Sequence, residues 1–378
     1  MNNKPIMLFA VLSMLTMACN TEMQEIETIV FDYSSNTPVY QYDRVENISL
    51  IPLQTDENYL IGEMPELKIA GDNLFILHGR YSPSGRIDRF TINGQHLNQV
   101  GRHGRGPGEL NLQALSDWFF CGDNMIGLRE YFSENILLYN FSGNFKRKTH
   151  LNTPKVDGFG PSYMIHWQNS HFLALMPAQA DSSFLISLSE SETDVRTMLN
   201  SKKTYPFDLE LFPPFFQSND KLYFRTIHEN AIYKAEQDTV ILAFLTNPGK
   251  YAIPSAFYDK FSDELLIQNG AALVYNFLES KDYYVIQLIV KQLEFEGLVW
   301  GIKYKQEKEW FWSKMETWEL GAFEYASAGL TEDNRLLMLI PPYSLKEQLP
   351  LMKNLLNPQI ADSLKEDDNP VLVEIRLR

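Results

Sequence analysis

Apolar and polar positions alternate in short runs along most of the chain, and turn residues separate the runs. Runs with a period of two predict half-buried β-strands; near the end of the chain, Val371, Val373 and Ile375 alternate with Glu374 and Arg376. Asn-Gly and Ser-Gly pairs between such runs predict tight hairpins, because glycine supplies the positive φ that a primed turn needs. The pattern is that of an all-β protein.

A segment of about fifty residues repeats along the chain. The sequence DNLFIL, which starts at Asp72, recurs as DNMIGL at Asp123. Similar polar turns followed by apolar runs start near residues 170, 220, 282 and 333. A four-stranded blade with its turns occupies roughly 40 to 50 residues, so six starts predict a six-bladed β-propeller.

We expect strands from both ends of the chain to close the ring. The segments 28–31 and 49–53 have the pattern of early strands, and pairing one of them with the last blade would protect an exposed sheet edge. Between the fourth and fifth repeats, residues 254–261 predict a short inserted helix. No linker or charge run divides the chain, so we predict a single propeller domain over residues 28–378.

The first eighteen residues have the composition of an export signal. Lys4 is the only charged residue before an apolar run over 6–17, and the small residue Ala18 follows. This layout predicts a secretory signal peptide over residues 1–18. Twelve apolar residues are too few to span a bilayer as a permanent helix.

Cys19 follows this segment directly and resembles the lipidated cysteine of bacterial lipoproteins, which becomes the mature amino terminus. Thr16 stands where those signals usually carry leucine. We therefore expect a lipidated tether over residues 19–27; the alternative is an ordinary signal with an incidental cysteine. Cys121, in the apolar run 118–121, is expected to be a buried structural thiol.

Composition and charge narrow the class of protein. Apolar residues make up 44% of the chain and aromatic residues 13%, which is enough to build a substantial core and argues against general disorder. The formal net charge of −15 argues against nucleic acid as a partner, since phosphate binding requires an excess of lysine and arginine.

Five segments carry a family resemblance: 51–63, 101–109, 230–234, 251–254 and 369–373. They resemble the six-bladed β-propeller lipoproteins of Bacteroides-type Gram-negative bacteria, which are relatives in shape of NHL-repeat propellers. The resemblance covers nearly the whole mature chain. It implies the fold and a place in the cell envelope, at the outer membrane, facing either the periplasm or the outside. It supplies no catalytic residue.

The segment 101–109 contains four glycines and a proline, which predicts an irregular turn. Successive backbone N–H groups in such a turn can form an anion-binding nest. Arg102 and Arg105 could add charge-assisted hydrogen bonds to a carboxylate or a sulfate. The alternative is an inter-blade turn in which Arg102 or Arg105 pairs with Glu109.

Aromatic residues crowd into residues 300–318. Exposed tryptophans can stack on sugar rings, and Trp310 and Trp312 lie beside the charged turn 306–309, which makes them the best candidates. The alternative is packing between blades, because Trp300 and Ile302 share one face of a strand.

No local zinc, calcium or nucleophile-elbow pattern occurs in the sequence. We therefore predict no catalytic residues, no metal and no cofactor, although a propeller can gather ligands from separate blades around its central channel. The leading hypothesis is a non-catalytic binding or scaffolding propeller for a glycan, a peptide or an envelope protein. The alternatives are a propeller enzyme, such as a metal-dependent lactonase, a lyase or a glycan hydrolase, and a structural subunit of an envelope complex.

Overall fold

The structure is a computed structural model, and it describes most of the chain. The described residues are 26–35, 37–62, 65–79, 85–111, 114–122, 124–131, 133–155, 160–168, 171–176, 185–189, 195–199, 214–226, 230–252, 270–291, 296–316 and 327–378. The predicted signal peptide, Cys19 and the predicted helix at 254–261 lie outside these residues.

Two short strands precede the repeats: β1 (Thr28–Val30) and β2 (Val45–Pro52). Blade 1 contains β3 (Glu66–Ala70), β4 (Asn73–His78), β5 (Arg86–Thr91) and β6 (His96–Val100). Blade 2 contains β7 (Leu115–Phe120), β8 (Met125–Glu130), β9 (Asn135–Asn140) and β10 (Phe145–His150). Blade 3 contains β11 (Tyr163–Gln168), β12 (His171–Leu175), β13 (Leu185–Ser189) and β14 (Val195–Leu199).

The second half of the ring continues the same antiparallel order. Blade 4 contains β15 (Phe215–Ser218), β16 (Lys221–Thr226), β17 (Ala231–Ala235) and β18 (Val240–Asn247). Blade 5 contains β19 (Ala271–Glu279), β20 (Tyr283–Lys291), β21 (Glu296–Tyr304) and β22 (Phe311–Glu316). Blade 6 contains β23 (Ala328–Leu330), β24 (Arg335–Ile340), β25 (Val371–Leu377) and, as its outer strand, β2.

Short helical segments occupy some of the connections. They are the 3-10 turns Val39–Gln41, Gly249–Tyr251 and Leu349–Leu351 and the helices α1 (Pro342–Gln348) and α2 (Ile360–Ser363). Both α-helices lie between β24 and β25, and Leu345 of α1 is fully buried against the core of blades 5 and 6.

The predicted repeat coincides with the hairpin between the first and second strands of the blades. Asn124, Asn219 and Asn334 adopt positive φ angles of 60°, 55° and 66° in three of these turns. Asparagine tolerates the left-handed conformation better than other residues with a side chain, which accounts for the Asp/Asn-rich start of each repeat. The six-bladed β-propeller predicted from the sequence is confirmed.

Ring closure joins the two ends of the chain. Strand β2 pairs antiparallel with β25, with Ile48 opposite Ile375 and Leu50 opposite Val373. The last blade is thus completed by a strand from near the start of the chain. Opening the ring would expose both partners of this ladder as unpaired sheet edges.

The side chain of Asn369 holds the connection from blade 6 to blade 1. Its Oδ1 accepts the Ile61 N–H at 2.7 Å, and its Nδ2 donates to the carbonyl oxygens of Gln54 and Tyr59 at 2.8 and 3.1 Å. The segments 51–63 and 369–373, which carry the family resemblance, therefore meet at the closure of the ring.

Strand β1 joins a different blade from β2. It pairs in parallel with β18, which places it as a fifth strand at the outer edge of blade 4. The first amino-terminal strand therefore covers a sheet edge, while only the second one closes the ring.

The core lies between neighbouring blades. In β20, Val285 and Ile289 pack toward blade 6, while Ile286 and Leu288 pack toward blade 4. A blade with a neighbour on each side has no solvent face, so its middle strands are continuously apolar instead of alternating. Trp300 packs in the same way and is only 2% exposed.

Candidate functional site

The glycine-rich loop 101–110 connects β6 to β7 and so joins blades 1 and 2. The Glu109 carboxylate turns back into the loop and accepts the Gly106 N–H at 2.8 Å. A Cβ at Gly104 would lie 2.1 Å from the same carboxylate oxygen, so a side chain there would displace the Glu109 carboxylate. The Glu109 carboxylate therefore already binds a backbone N–H group that an anion-binding nest would use to bind an external anion.

The two arginines of the loop point to solvent. Arg102 and Arg105 are exposed, and neither makes an ion pair with Glu109 or with any other residue in the part of the chain that the structure describes. The Tyr139 hydroxyl donates to the Gly108 carbonyl oxygen. Burial and the nearby Glu109 carboxylate raise the pKa of Tyr139 to about 12, against the opposing charge of Arg102.

The two candidate tryptophans are packed against the amino-terminal segment. Trp312 is 7% exposed, and its ring contacts Phe31 edge-on at 5.7 Å and Trp310 at 5.9 Å. Trp310 is half-buried, and its indole N–H donates to Glu27 Oε1 at 3.0 Å. Of the two tryptophans, only the half-buried Trp310 has a ring that could stack on a sugar, and its indole N–H is already bound to Glu27.

Three buried acidic residues organise contacts between blades, and the first is Asp88 on β5. His78 Nδ1 accepts the Gly62 N–H, so His78 Nε2 donates to Asp88 Oδ2 at 2.9 Å. His96 Nε2 lies 2.9 Å from Asp88 Oδ1, and Arg86 Nε donates to Oδ2 at 2.6 Å. Burial raises the pKa of Asp88, but the bonds from His78, His96 and Arg86 outweigh it and hold the pKa below its usual value.

This cluster clamps the connection that follows β2. Arg86 Nη2 donates to the Leu60 carbonyl oxygen at 3.0 Å. The Tyr59 ring stacks on His96 at 4.1 Å and nearly parallel to it. The Asp88 cluster thus has a structural role at the junction of blades 6 and 1.

The second acidic residue is Asp117 on β7, and its partner is the fully buried Arg129 on β8. All five N–H groups of the Arg129 guanidinium donate to acceptors at distances between 2.6 and 3.3 Å. The acceptors are Asp117 Oδ2, Ser116 Oγ and the carbonyl oxygens of Ser133, Pro161 and Ser162. Because Pro161 and Ser162 lead into β11, this ion pair joins blade 2 to blade 3.

The third acidic residue is Glu279 at the end of β19. It accepts hydrogen bonds from the Tyr223 hydroxyl and from Lys305 Nζ, and Lys221 Nζ lies 3.2 Å away. Burial raises the pKa of Glu279, but the hydrogen bonds from Lys305 and Tyr223 outweigh burial and hold the pKa below its usual value. Burial and the bond to Glu279 raise the pKa of Tyr223. This cluster joins blade 4 to blade 5.

Polar side chains on the first strands of the blades also form hydrogen bonds with other blades. The Gln217 amide accepts the Phe120 N–H at 3.1 Å and donates to the Phe120 carbonyl oxygen at 3.3 Å, which links blade 4 to blade 2 past blade 3. Lys68 Nζ donates to the Trp118 carbonyl oxygen at 2.9 Å, and Trp118 Nε1 donates to Glu66.

We expect an Asp88→Asn substitution to lower the free energy of unfolding at pH 7 by about 1–3 kcal/mol, because buried donors lose their anionic acceptor. A carboxyl whose folded pKa is depressed stabilises the fold above its unfolded pKa of about 3.9 and loses that contribution as the pH falls through the folded pKa. The difference from the unsubstituted protein should therefore narrow below about pH 4.

Urea unfolding at a series of pH values measures this difference. The matched control is Asp72→Asn, at an exposed turn of the same blade, where we expect no change. A difference between Asp88→Asn and the unsubstituted protein that is equal at pH 7 and pH 3.5 would contradict the proposed role of the ionised carboxylate.

These three clusters were not predicted from the sequence. A signal was present, because Asp117 and Arg129 are charged residues inside apolar strands. The groups that these clusters link to, however, lie in distant segments of the chain: Leu60 before blade 1, Ser162 before β11 and Tyr223 on β16. Within the described residues, no group of three or more His, Cys, Asp or Glu side chains is arranged to hold a metal ion. None of the described helices is long and apolar enough to cross a membrane.

Comparison with known proteins identifies a family and two similar folds. The family described as "Domain of unknown function (DUF4934)" matches residues 26–376. A Bacteroides fragilis protein, provisionally named an exported protein, is 18% identical, with 93% of this chain and 99% of that chain covered and a TM-score of 0.69. A member of the DUF4221 family from Bacteroides vulgatus is 13% identical, with 88% and 97% covered and a TM-score of 0.56. No curated protein sequence matches the chain.

Proposed function

Because this chain belongs to the family described as domain of unknown function DUF4934, and because its fold is a six-bladed β-propeller, we propose that it is an exported, lipid-anchored binding protein of the cell envelope without catalytic activity. Its ligand would be a glycan, a peptide or an envelope protein. The similarity to the Bacteroides fragilis protein that is provisionally named an exported protein supports the location.

One observation carries this proposal: the buried charged groups hold blades together. Asp88, Asp117 and Glu279 each bind to donors of the protein itself. Asp117 and Glu279 bind donors from two blades, and the Asp88 cluster clamps the connection that leads into blade 1. Catalytic acids and bases need a face that is open to substrate. In these clusters the charged groups make the ring rigid, which suits a platform for binding.

The amino-terminal segment supports the anchor. Glu27 binds Lys303 and Trp310 of blade 5, and β1 pairs with blade 4, so the chain enters the fold across these two blades. Only seven peptide units separate Cys19 from Ile26, which reach at most about 25 Å when fully extended. A lipidated Cys19 would therefore hold the outer edge of blades 4 and 5 close to the membrane.

Replacing Cys19 with alanine tests the anchor. We expect the Cys19→Ala protein to move from the membrane fraction to the soluble fraction, because stable attachment requires the acyl chains. The matched control is Cys121→Ala, which removes the other cysteine, a buried thiol, and should leave the protein in the membrane fraction. If the Cys19→Ala protein remained in the membrane fraction, the proposed lipid anchor would be wrong.

A thermal-shift screen of the Cys19→Ala protein tests the binding function. A ligand that binds only the folded state raises the unfolding midpoint in proportion to the logarithm of its concentration relative to its Kd. Glycans, peptides and divalent metals are tested separately, and lactones and glycans are also assayed for turnover. Turnover of either substrate class would overturn the non-catalytic assignment.

A further inference from the structure

The outer strand of blade 2 is basic in an otherwise acidic protein. Strand β10 has the sequence FKRKTH, and Lys146, Arg147 and Lys148 are all exposed. It is the edge of its sheet and pairs only with β9. No other outer strand of the ring has three consecutive cations. The net charge of the whole chain is −15.

The glycine-rich loop that contains Arg102 and Arg105 packs against this strand. Phe145, the first residue of β10, packs so closely on the loop that a Cβ at Gly108 would lie 2.5 Å from its ring. The Phe145 ring also contacts Tyr139. Arg102 lies near enough to Tyr139 for its positive charge to oppose the rise in the pKa of that hydroxyl. We call Arg102, Arg105, Lys146, Arg147 and Lys148 the basic edge; its members come from two segments of the chain that pack on each other.

Four members of the basic edge carry charges that no described acidic side chain pairs with. Among the described residues, Arg102, Arg105, Lys146 and Lys148 make no ion pair. By contrast, Lys221, Lys303 and Lys305 of blades 4 and 5 each bind a glutamate. Neighbouring like charges without acidic partners repel one another, and a bound anion relieves that repulsion.

Protection of a sheet edge explains only part of this arrangement. Lysines and a β-bulge discourage pairing between edges, and β10 has both, with its bulge between Phe145 and Arg147. Edge protection does not require Arg102 and Arg105, which lie in the inter-blade loop and outside the edge strand. The bulge also makes an added peptide strand a poor ligand, because it interrupts the row of backbone groups that such a strand would pair with.

We propose that the basic edge binds an acidic polysaccharide that carries sulfate or carboxylate groups. Lysine and arginine side chains bind such groups through charge-assisted hydrogen bonds. In a six-bladed ring, blade 2 lies opposite blade 5, so the basic edge points away from the blades that the anchor would hold to the membrane. This orientation rests on the proposed function, and it favours a soluble polymer over the lipid surface of the anchoring membrane.

Binding of defined polymers to the Cys19→Ala protein tests this proposal at low and high salt. The probes are heparin for sulfates, polygalacturonate for carboxylates and neutral dextran. Single-stranded DNA and vesicles that contain phosphatidylglycerol represent other anionic surfaces. We expect heparin or polygalacturonate to bind, dextran not to bind, and the affinity to fall with added salt, since salt screens exposed charges.

Lys146→Glu with Lys148→Glu should weaken polysaccharide binding by about tenfold or more, because attraction becomes repulsion. The control is Lys353→Glu with Lys365→Glu, two exposed lysines between β24 and β25, which makes the same change in net charge and should alter affinity less than about twofold. An unchanged thermal midpoint for both variants shows that they fold.

Three results would overturn the proposal. The first is the absence of binding to both acidic polysaccharides. The second is an equal loss of polysaccharide affinity in the two double variants. The third is binding of DNA or vesicles that is as tight as polysaccharide binding and is weakened as much by Lys146→Glu with Lys148→Glu. Each result is independent of membrane fractionation. A failed basic edge therefore leaves the anchor standing, and a failed anchor leaves the binding result standing.

Discussion

Replacing Arg129 with methionine is expected to lower the free energy of unfolding by about 3–5 kcal/mol, the largest effect of a single substitution that we predict. The substitution leaves the buried Asp117 carboxylate without its cation. It also removes the donors that bind the carbonyl oxygens of Pro161 and Ser162 at the start of blade 3. Urea unfolding at pH 7 measures the loss.

The pH dependence of this loss identifies its cause. Burial raises the pKa of Asp117, and Arg129 is the main influence that opposes it. Without Arg129, the folded pKa of Asp117 rises further above its unfolded value of about 3.9. A group with a raised folded pKa stabilises the fold below its unfolded pKa and loses that contribution as the pH rises through the folded pKa. The deficit of Arg129→Met should therefore be larger at pH 8 than at pH 5.

The double variant Asp117→Leu with Arg129→Met is the control. Apolar residues in place of both members of a buried ion pair are often tolerated, so the double variant should recover part of the stability that Arg129→Met loses. A single variant that costs less than about 1 kcal/mol, or a double variant that is the less stable of the two, would show that the pair does not hold blades 2 and 3 together.

The second large effect is expected for Gly143→Ala in the hairpin turn before β10, at about 3 kcal/mol. Gly143 has a φ of +79°, and an added Cβ would lie 2.2 Å from the Gln99 carbonyl oxygen in the outer strand of blade 1. Backbone strain and a clash with the neighbouring blade therefore act together. Gly94 of blade 1 packs in the same way against Pro52 of blade 6.

Gly122→Ala, in the same blade, is the matched control. Gly122 has a φ of +57°, but an added Cβ would meet nothing within 4 Å. Only the backbone strain remains, so the expected cost is about 1 kcal/mol. Urea unfolding of the two variants separates strain from contact between blades. Equal losses would mean that the turn of blade 2 does not depend on its contact with blade 1.

The candidate site was predictable only in part. The glycines and cations of the segment 101–109 were visible in the sequence, and the loop does join two blades. Its relation to β10 was hidden, because Gly108 and Phe145 are separated by three strands and their turns. The buried state of Trp312 was hidden for the same reason, since the residue that covers it, Phe31, lies near the start of the chain.

The sequence by itself determined the number of blades, because every blade needs a tight turn between its first two apolar strands, and this local requirement repeats along the chain. It also contained the early and late strands that close the ring. The tertiary structure alone decided that β1 pairs with blade 4, that Asp117 and Glu279 join neighbouring blades and that the Asp88 cluster clamps the connection into blade 1. It alone also packed the glycine-rich loop against β10. Local turn chemistry is recorded in adjacent residues, whereas the partner of a buried charge or of an edge strand depends on which distant segments the closed ring brings into contact.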